Sequence, residues 1–166
     1  SEIEPASMTK IMTAYVAADQ ISNELIAVDD EVLISEKAWR MEGSRMFIEA
    51  GKRVSVSDLL KGIIIQSGND ASVAIAEYVG GTERGFVDLM NAYAGSLKMN
   101  NTNFQNSTGL PAENHFSSAK DLAILTSNLI TKFPEIYSFY KEKQFTFNEI
   151  KQLNRNKLLW RDDSSD

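Results

Sequence analysis

Hydrophobic residues recur at intervals of three and four along most of this chain, the spacing that places them on one face of an α-helix. The pattern predicts helices over residues 7–19, 54–65, 70–79, 82–98, 118–132 and 135–141. Shorter alternating or apolar runs predict strands over residues 31–35, 45–48 and 144–148, and a strand stub over residues 158–160. Because strands and helices do not alternate regularly, we expect a helix-rich α+β fold with fragments of antiparallel sheet rather than a doubly wound parallel sheet.

Composition and charge exclude several classes of protein. The chain has 166 residues, which suits one domain, and its net charge of −6 argues against a nucleic-acid partner, which requires a cationic face. Cysteine is absent, so a cysteine nucleophile and a Cys-ligated zinc site are excluded, and we expect no metal or cofactor. The single histidine, His115, lies in a polar stretch and is interpreted as a loop residue. No apolar run approaches the length of about 18 residues that a membrane span needs.

A Ser-x-x-Lys motif is the first candidate for chemistry. A serine hydroxyl is a weak nucleophile that needs a nearby base, and a lysine one helical turn away can supply it. Three pairs match: Ser7 with Lys10, Ser117 with Lys120, and Ser138 with Lys141. We interpret Ser117, or else its neighbour Ser118, as a helix cap, with Lys120 solvated, and Ser138 as a surface residue in a stretch of mixed charge. Ser7 differs because it opens a helix that places Lys10 within an apolar pattern, although helix capping by Ser7 is an equally good interpretation of the motif alone.

The second candidate motif is Ser67-Gly68-Asn69, which occurs once, between two apolar helices. Glycine permits a sharp turn there, from which Ser67 and Asn69 would project. The alternative is an ordinary turn between helices in which Asn69 or Asp70 caps the second one. A Ser-x-Asn motif about sixty residues after Ser7 favours the functional interpretation of both motifs.

Together these motifs resemble those of the penicillin-recognising serine enzymes. Five longer runs resemble one branch in particular, the D-alanyl-D-alanine carboxypeptidases or low-molecular-weight penicillin-binding proteins: EPASMTKIMT from residue 4, QSGNDA from 66, SAKDLA from 118, YKEKQFTF from 140 and QLNRNKLLW from 152. The resemblance implies a β-lactamase/transpeptidase-like fold, of which this chain would be the helix-rich portion with most sheet strands missing. Residues 1–166 would then form an incomplete catalytic domain, without the C-terminal β domain and the membrane anchor of the family.

The resemblance also implies a role for each motif residue. Ser7 would be acylated by the penultimate D-Ala of a peptidoglycan stem peptide or by a β-lactam, with Lys10 as general base. Ser67 would relay a proton to the leaving amine, Asn69 would bind the substrate backbone, and Arg155 would either bind substrate or form a surface ion pair. The enzyme would work in the periplasm, at the outer face of the bacterial inner membrane.

The sequence departs from the family pattern at the third motif, Lys-Thr-Gly, because no Lys-x-Gly occurs in the chain. The missing strand would supply a cation for the substrate carboxylate and a second oxyanion donor, and losing one such donor costs about 10²–10³ in rate. We therefore expect this chain alone to be inactive. Two alternatives stay open: a serine β-lactamase of the same fold, and a non-catalytic binding or scaffold module. No glutamate is followed by asparagine four positions later, as in class A β-lactamases, which favours the carboxypeptidase.

Overall fold

The computed structural model describes residues 2–3 and 6–154, with side chains from Met8 onward. Its α-helices are α1 (Ala6–Ser22), α2 (Glu36–Trp39), α3 (Val56–Gln66), α4 (Asn69–Gly80), α5 (Glu83–Ser96), α6 (Ala119–Lys132) and α7 (Pro134–Ser138), the last followed by a 3₁₀ turn, Phe139–Lys141. Its strands are β1 (Glu2–Ile3), β2 (Glu31–Leu33), β3 (Arg53–Ser55), β4 (Ser117–Ser118), β5 (Gln144–Phe147) and β6 (Ile150–Leu153). Within the described ranges, the strands pair only as three antiparallel ladders, β1–β4, β2–β3 and β5–β6. The predicted helix-rich α+β fold is thus confirmed.

Helix α1 lies between two hydrophobic clusters. Ala14 and Ala17 belong to the cluster formed with α3 and α4, whereas Met12, Tyr15 and Val16 belong to the one formed with α5 and α6. A helix that is apolar on nearly every face is typical of a buried position rather than a surface one. Burial of each large side chain contributes about 1.5–3 kcal/mol relative to exposure, so α1 is firmly held at the centre.

Serine and threonine side chains cap four of the described helices, and Ser35 does so at α2 by accepting from the N–H of Ala38. Ser55 accepts a hydrogen bond from the N–H of Asp58 at the start of α3, and Thr82 accepts one from Gly85 at the start of α5. Ser118, rather than Ser117, caps α6 by accepting from the N–H of Asp121. Each such cap contributes about 1 kcal/mol of stability.

Two predictions for residues 45–56 need correction. Residues 45–48 are not a strand, because the N–H groups of Met46, Phe47 and Ile48 donate to the side chain of Asp70 instead of to a neighbouring strand. The helix predicted from residue 54 begins at Val56, since residues 53–55 form β3 and pair with β2. The four-residue helix α2 was not predicted.

The C-terminal part of the described chain is a hairpin rather than a single strand. Strands β5 and β6 are joined by a two-residue turn, Asn148-Glu149, in which both residues have positive φ, 49° and 66°. Both positive angles are required by the turn type whose twist matches that of paired strands. The predicted strand stub at residues 158–160 lies outside the described residues. No helix in the described ranges has the length and apolar character that crossing a membrane requires.

Candidate active site

The turn between α3 and α4 carries the Ser-x-Asn motif. Ser67 ends α3 in the left-handed region, with φ 60° and ψ 40°, and Gly68 follows in an extended conformation. The sequence predicted that the glycine would make the sharp turn, but the serine makes it. Gly68 is needed for space instead, because a Cβ there would come within 2.9 Å of Asp70 Oδ1. A left-handed residue with a side chain is uncommon and is found preferentially at functional sites.

Asn69 is buried and its side chain is oriented by the loop over residues 42–44. Its Nδ2 donates to the carbonyl of Glu42 at 2.8 Å, and its backbone N–H donates to the carbonyl of Ser44 at 2.7 Å. Its Oδ1 is buried and has no hydrogen-bond partner in the part of the chain that is described. The N-cap of α4 is Gly68, with no side-chain cap, so neither Asn69 nor Asp70 caps this helix. The asparagine therefore presents a spare acceptor.

Asp70 holds the loop beside Asn69 in place. The sequence predicted it only as a possible helix cap. Its carboxylate is 1% exposed and accepts four backbone hydrogen bonds. The donors are the N–H groups of Met46 at 3.0 Å, Phe47 at 2.9 Å, Ile48 at 3.2 Å and Ala71 at 2.8 Å. An aspartate in an otherwise apolar helix is a detectable signal, because a buried carboxylate needs several donors.

Helix α1 carries the Ser-x-x-Lys motif. Ser7 lies in the first turn of α1, and Lys10, which is half-buried, lies one turn further along. Because α1 packs against both α3 and α4, it contacts the two helices that flank the Ser67-Gly68-Asn69 turn. That these motif residues act together on one substrate stays a prediction. Arg155, the other predicted binding residue, lies outside the described residues.

The serines of the other two Ser-x-x-Lys pairs are held in hydrogen bonds to neighbouring residues of the fold. Ser117 is buried and shares a 2.6 Å hydrogen bond with Thr102 Oγ1, and of the two predicted cap candidates it is Ser118, not Ser117, that caps α6. Lys120 is exposed. Ser138 is exposed and donates to the Glu135 carbonyl of its own helix, and Lys141 lies over the ring of Tyr137. These contacts leave Ser7 and Lys10 as the pair to test.

The segment over residues 103–116 is fastened to α1 by buried threonines. Thr13 Oγ1 donates to the Ser107 carbonyl at 2.9 Å, and Thr9 Oγ1 lies 2.7 Å from Nε2 of His115. Ser107 in turn donates through N–H and Oγ to Glu83, which also pairs with Lys37 at 2.8 Å. Burial raises the pKa of Glu83, but the hydrogen bonds from Lys37 and Ser107 outweigh it and hold that pKa below its usual value. The segment is thus fixed against Thr9, which directly precedes Lys10.

His115 is held in one neutral form by its two partners. Its Nδ1 accepts from the N–H of Gln105 at 3.2 Å, so the neutral ring carries its proton on Nε2 and donates it to Thr9. Burial lowers the pKa of His115 from its usual 6.5. The sequence identified His115 as a loop residue, but its contact with α1 spans 106 positions and was not foreseen.

Replacing His115 with Gln is expected to flatten the pH dependence of stability. The unfolded chain binds a proton near pH 6.5 and the folded one only at lower pH, so the contribution of His115 is fully present above pH 6.5 and is lost as pH falls towards the lowered value. Thermal unfolding at pH 7 and at pH 5 measures the effect. Wild type should lose more of its melting temperature across that interval than His115→Gln, and equal losses would contradict the prediction.

Gly43 lies against the asparagine of the motif. It has φ +79°, and a Cβ there would come within 2.8 Å of Asn69 Nδ2. Gly51 is a matched control, because it has φ +81° but open space around the position of its Cβ. Gly43→Ala and Gly51→Ala should each lose about 1 kcal/mol through the left-handed backbone.

If the site has the chemistry that the family resemblance implies, only Gly43→Ala should also displace Asn69 and slow acylation by penicillin. Denaturant unfolding measures the loss of stability in both variants, and covalent labelling by penicillin measures the acylation rate. Equal labelling rates for the two variants would show that the contact between Gly43 and Asn69 has no bearing on the site.

The helical core and the two motifs define the class as the helix-rich part of a transpeptidase-like fold. The chain belongs to the D-alanyl-D-alanine carboxypeptidase family, peptidase family S11, whose family model matches residues 1–166. This confirms the family resemblance stated from the motifs. Within the described residues, no group of three or more acidic or histidine side chains is arranged to hold a metal ion.

Similar proteins agree with this assignment. The D-alanyl-D-alanine carboxypeptidase DacC of Escherichia coli is 48% identical over 165 residues, covering 96% of this chain and 41% of that protein. The structure of penicillin-binding protein 5 from Haemophilus influenzae matches with a TM-score of 0.93 and 45% identity, over 96% of this chain and 47% of that one. Penicillin-binding protein D2 from Listeria monocytogenes, in its ampicillin-bound form, matches with a TM-score of 0.83 and 27% identity, over 96% and 65% of the two chains. The chain spans about two fifths of the length of the curated relatives it matches.

Proposed function

We propose that this chain is the nucleophile-bearing part of a serine D-Ala-D-Ala carboxypeptidase that trims peptidoglycan stem peptides. Ser7 Oγ attacks the carbonyl carbon of the penultimate D-Ala while Lys10 Nζ accepts its proton. The C–N bond then breaks, and the terminal D-Ala leaves with a proton relayed through Ser67. Water hydrolyses the resulting ester and restores the Ser7 hydroxyl. The backbone N–H of Ser7 supplies one of the two oxyanion donors.

The observation that carries this proposal is the free acceptor of Asn69. Its Oδ1 is buried without a partner in the described part of the chain, whereas its Nδ2 is held by Glu42. A buried polar atom without a partner costs about 1–3 kcal/mol, so such an atom is typical of a site that awaits a donor. The backbone N–H of a bound peptide, or the ammonium group of Lys10 after proton transfer, supplies that donor.

Acylation of Ser7 by β-lactams follows from the same chemistry, because a lactam carbonyl takes the place of the scissile amide. The relative from Listeria monocytogenes that matches in its ampicillin-bound form supports this part of the proposal. A stem-peptide substrate lies outside the cytoplasm, so we place the enzyme in the periplasm, at the outer face of the inner membrane. Arg155 is proposed as a further substrate contact.

Residues 1–166 alone are proposed to be an incomplete catalytic domain. The Lys-Thr-Gly motif of the family is absent from the chain, and with it one oxyanion donor and the cation for the substrate carboxylate. The isolated chain should therefore acylate at least about 10²-fold more slowly than the full-length gene product.

Two assays of the full-length gene product test the function. Intact mass after incubation with benzylpenicillin should show one covalent adduct, mapped to the peptide that contains Ser7 and lost slowly. A peptide ending in D-Ala-D-Ala should release D-Ala. Rapid turnover of penicillin would instead identify a β-lactamase. A folded protein with neither adduct nor D-Ala release would be a scaffold, and the proposal would be wrong.

A further inference from the structure

A cavity lies beyond the loop that orients Asn69. It has a volume of about 300 Å³ and is bounded by the end of α2, the loop over residues 45–49 and the turn between β5 and β6. That volume is at the lower end of the range of small-ligand pockets. Its walls include Trp39, Arg45, Phe47, Glu49, Asn148 and Ile150, none of which the proposed chemistry at Ser7 uses.

Two aromatic side chains at this cavity are unusually exposed. Trp39 and Phe47 are each 44% accessible to solvent. Phe47 also has a φ of 68°, which for a bulky residue is a genuine outlier. The Asp70 carboxylate maintains this conformation by accepting the N–H groups of Phe47 and Ile48. A strained backbone that costs about 1–3 kcal/mol and leaves an aromatic ring in water is typical of a ligand site.

The polar groups of the cavity are close to charge balance. Arg45 contributes a guanidinium group 5.0 Å from the centre of the Phe47 ring, and its buried Nε has no hydrogen-bond partner within the described residues. Glu49 contributes an opposite charge and Asn148 an amide. The charge of Asp70 is already satisfied by backbone N–H groups. A neutral ligand rich in hydroxyl or amide groups suits this lining better than an anion does.

We propose that this cavity binds one pyranose ring of an amino-sugar glycan chain. A pyranose has a C–H face that stacks on aromatic rings such as Trp39 and Phe47, and a rim of hydroxyls for groups such as Arg45 and Glu49. The volume accommodates a single ring. The choice of an amino sugar rests on the proposed function, because the stem peptide of peptidoglycan is attached to such a sugar.

One loop connects this cavity to the motif asparagine. The carbonyls of Glu42 and Ser44 accept hydrogen bonds from Asn69, while Phe47 lies at the cavity a few residues further on. The β5–β6 hairpin is fastened to the same loop, since Gln152 Nε2 donates to the Met46 carbonyl at 2.8 Å. A glycan in the cavity and a peptide at Asn69 would therefore contact the same rigid loop, and glycan-linked substrates should bind more tightly than free peptides.

Calorimetric titration of the full-length gene product with chitotriose, the trimer of N-acetylglucosamine, tests the proposal. We expect measurable binding, weakened about five- to tenfold by Trp39→Ala and by Phe47→Gly. Phe47→Gly removes the ring while glycine tolerates the positive φ, so its effect reports the ring rather than the backbone. Leu25→Ala is the control for a surface apolar residue, because Leu25 is 67% exposed and does not line this cavity.

A kinetic comparison adds a readout that folding defects would not reproduce. Trp39→Ala should raise KM for a disaccharide-linked pentapeptide about five- to tenfold, with kcat and the KM for the free pentapeptide unchanged. No binding of chitotriose by wild type, or equal affinity in the variants, would overturn the inference. If cellotriose bound as tightly as chitotriose, the amino-sugar assignment would be wrong. If an acidic peptide bound more tightly than chitotriose, the assignment of a sugar ligand would be wrong.

Penicillin labelling separates this inference from the proposed function. Labelled wild type that does not bind chitotriose refutes the glycan site alone. Wild type that binds chitotriose but is neither labelled nor active refutes the carboxypeptidase and leaves a glycan-binding module.

Discussion

Replacing Lys10 with Ala in the full-length gene product is expected to slow acylation by penicillin by about 10²–10⁴-fold, the contribution of a well-placed general base. Without an amine one turn away, the Ser7 hydroxyl keeps its proton and attacks the lactam carbonyl poorly. Lys10→Arg should not restore the rate, because a guanidinium group stays protonated and cannot accept a proton. Ser7→Ala should remove the adduct altogether.

The chain provides its own controls for this prediction. Lys120→Ala alters a second Ser-x-x-Lys motif at an exposed position, and Ser138→Ala alters the serine of the third. Both variants should acylate at the wild-type rate, as measured by time-resolved labelling with a fluorescent penicillin. Thermal unfolding checks that each variant is folded. A folded Lys10→Ala that labels as fast as wild type would exclude Lys10 as the base.

The features predicted correctly are those that depend on local sequence. The helices are set by periodic apolar positions, and a cap such as Thr82 acts on an N–H group only three residues ahead. The two motifs were also recognisable, because each is short and lies at a helix end. For the same reason, the sequence located the Ser67-Gly68-Asn69 turn, although it assigned the bend to the wrong residue.

The features that were missed depend on contacts distant in sequence. Residues 45–48 contain a short apolar run like that of a buried strand, but the N–H groups of Met46, Phe47 and Ile48 bind Asp70 more than twenty positions away. Strand β6 was missed because its turn, Asn148-Glu149, lacks the glycine typical of two-residue hairpins. The contact of His115 with Thr9 joins a loop to a helix across the fold. Periodicity within a short stretch of sequence does not indicate which distant residues pair.

The second large effect is expected at Asp70, whose replacement by Asn should lower the free energy of unfolding by about 2–6 kcal/mol. The carboxylate accepts four backbone N–H groups through two oxygens, two at each. An asparagine offers one acceptor oxygen, and its NH₂ group, itself a donor, would point at two of these backbone N–H groups. Two buried N–H groups would thus lose their acceptor, at about 1–3 kcal/mol each.

Denaturant unfolding of Asp70→Asn measures this loss, with Asp88→Asn as the matched control. Asp88 is exposed and pairs with Arg84 at 3.3 Å, a surface contact worth at most about 1 kcal/mol. Because Asp70 fixes the loop that orients Asn69, acylation at a temperature where the variant is folded should slow as well. A variant within about 1 kcal/mol of wild type would show that the loop keeps its conformation without the carboxylate. In that case the strain at Phe47 would need another source of support.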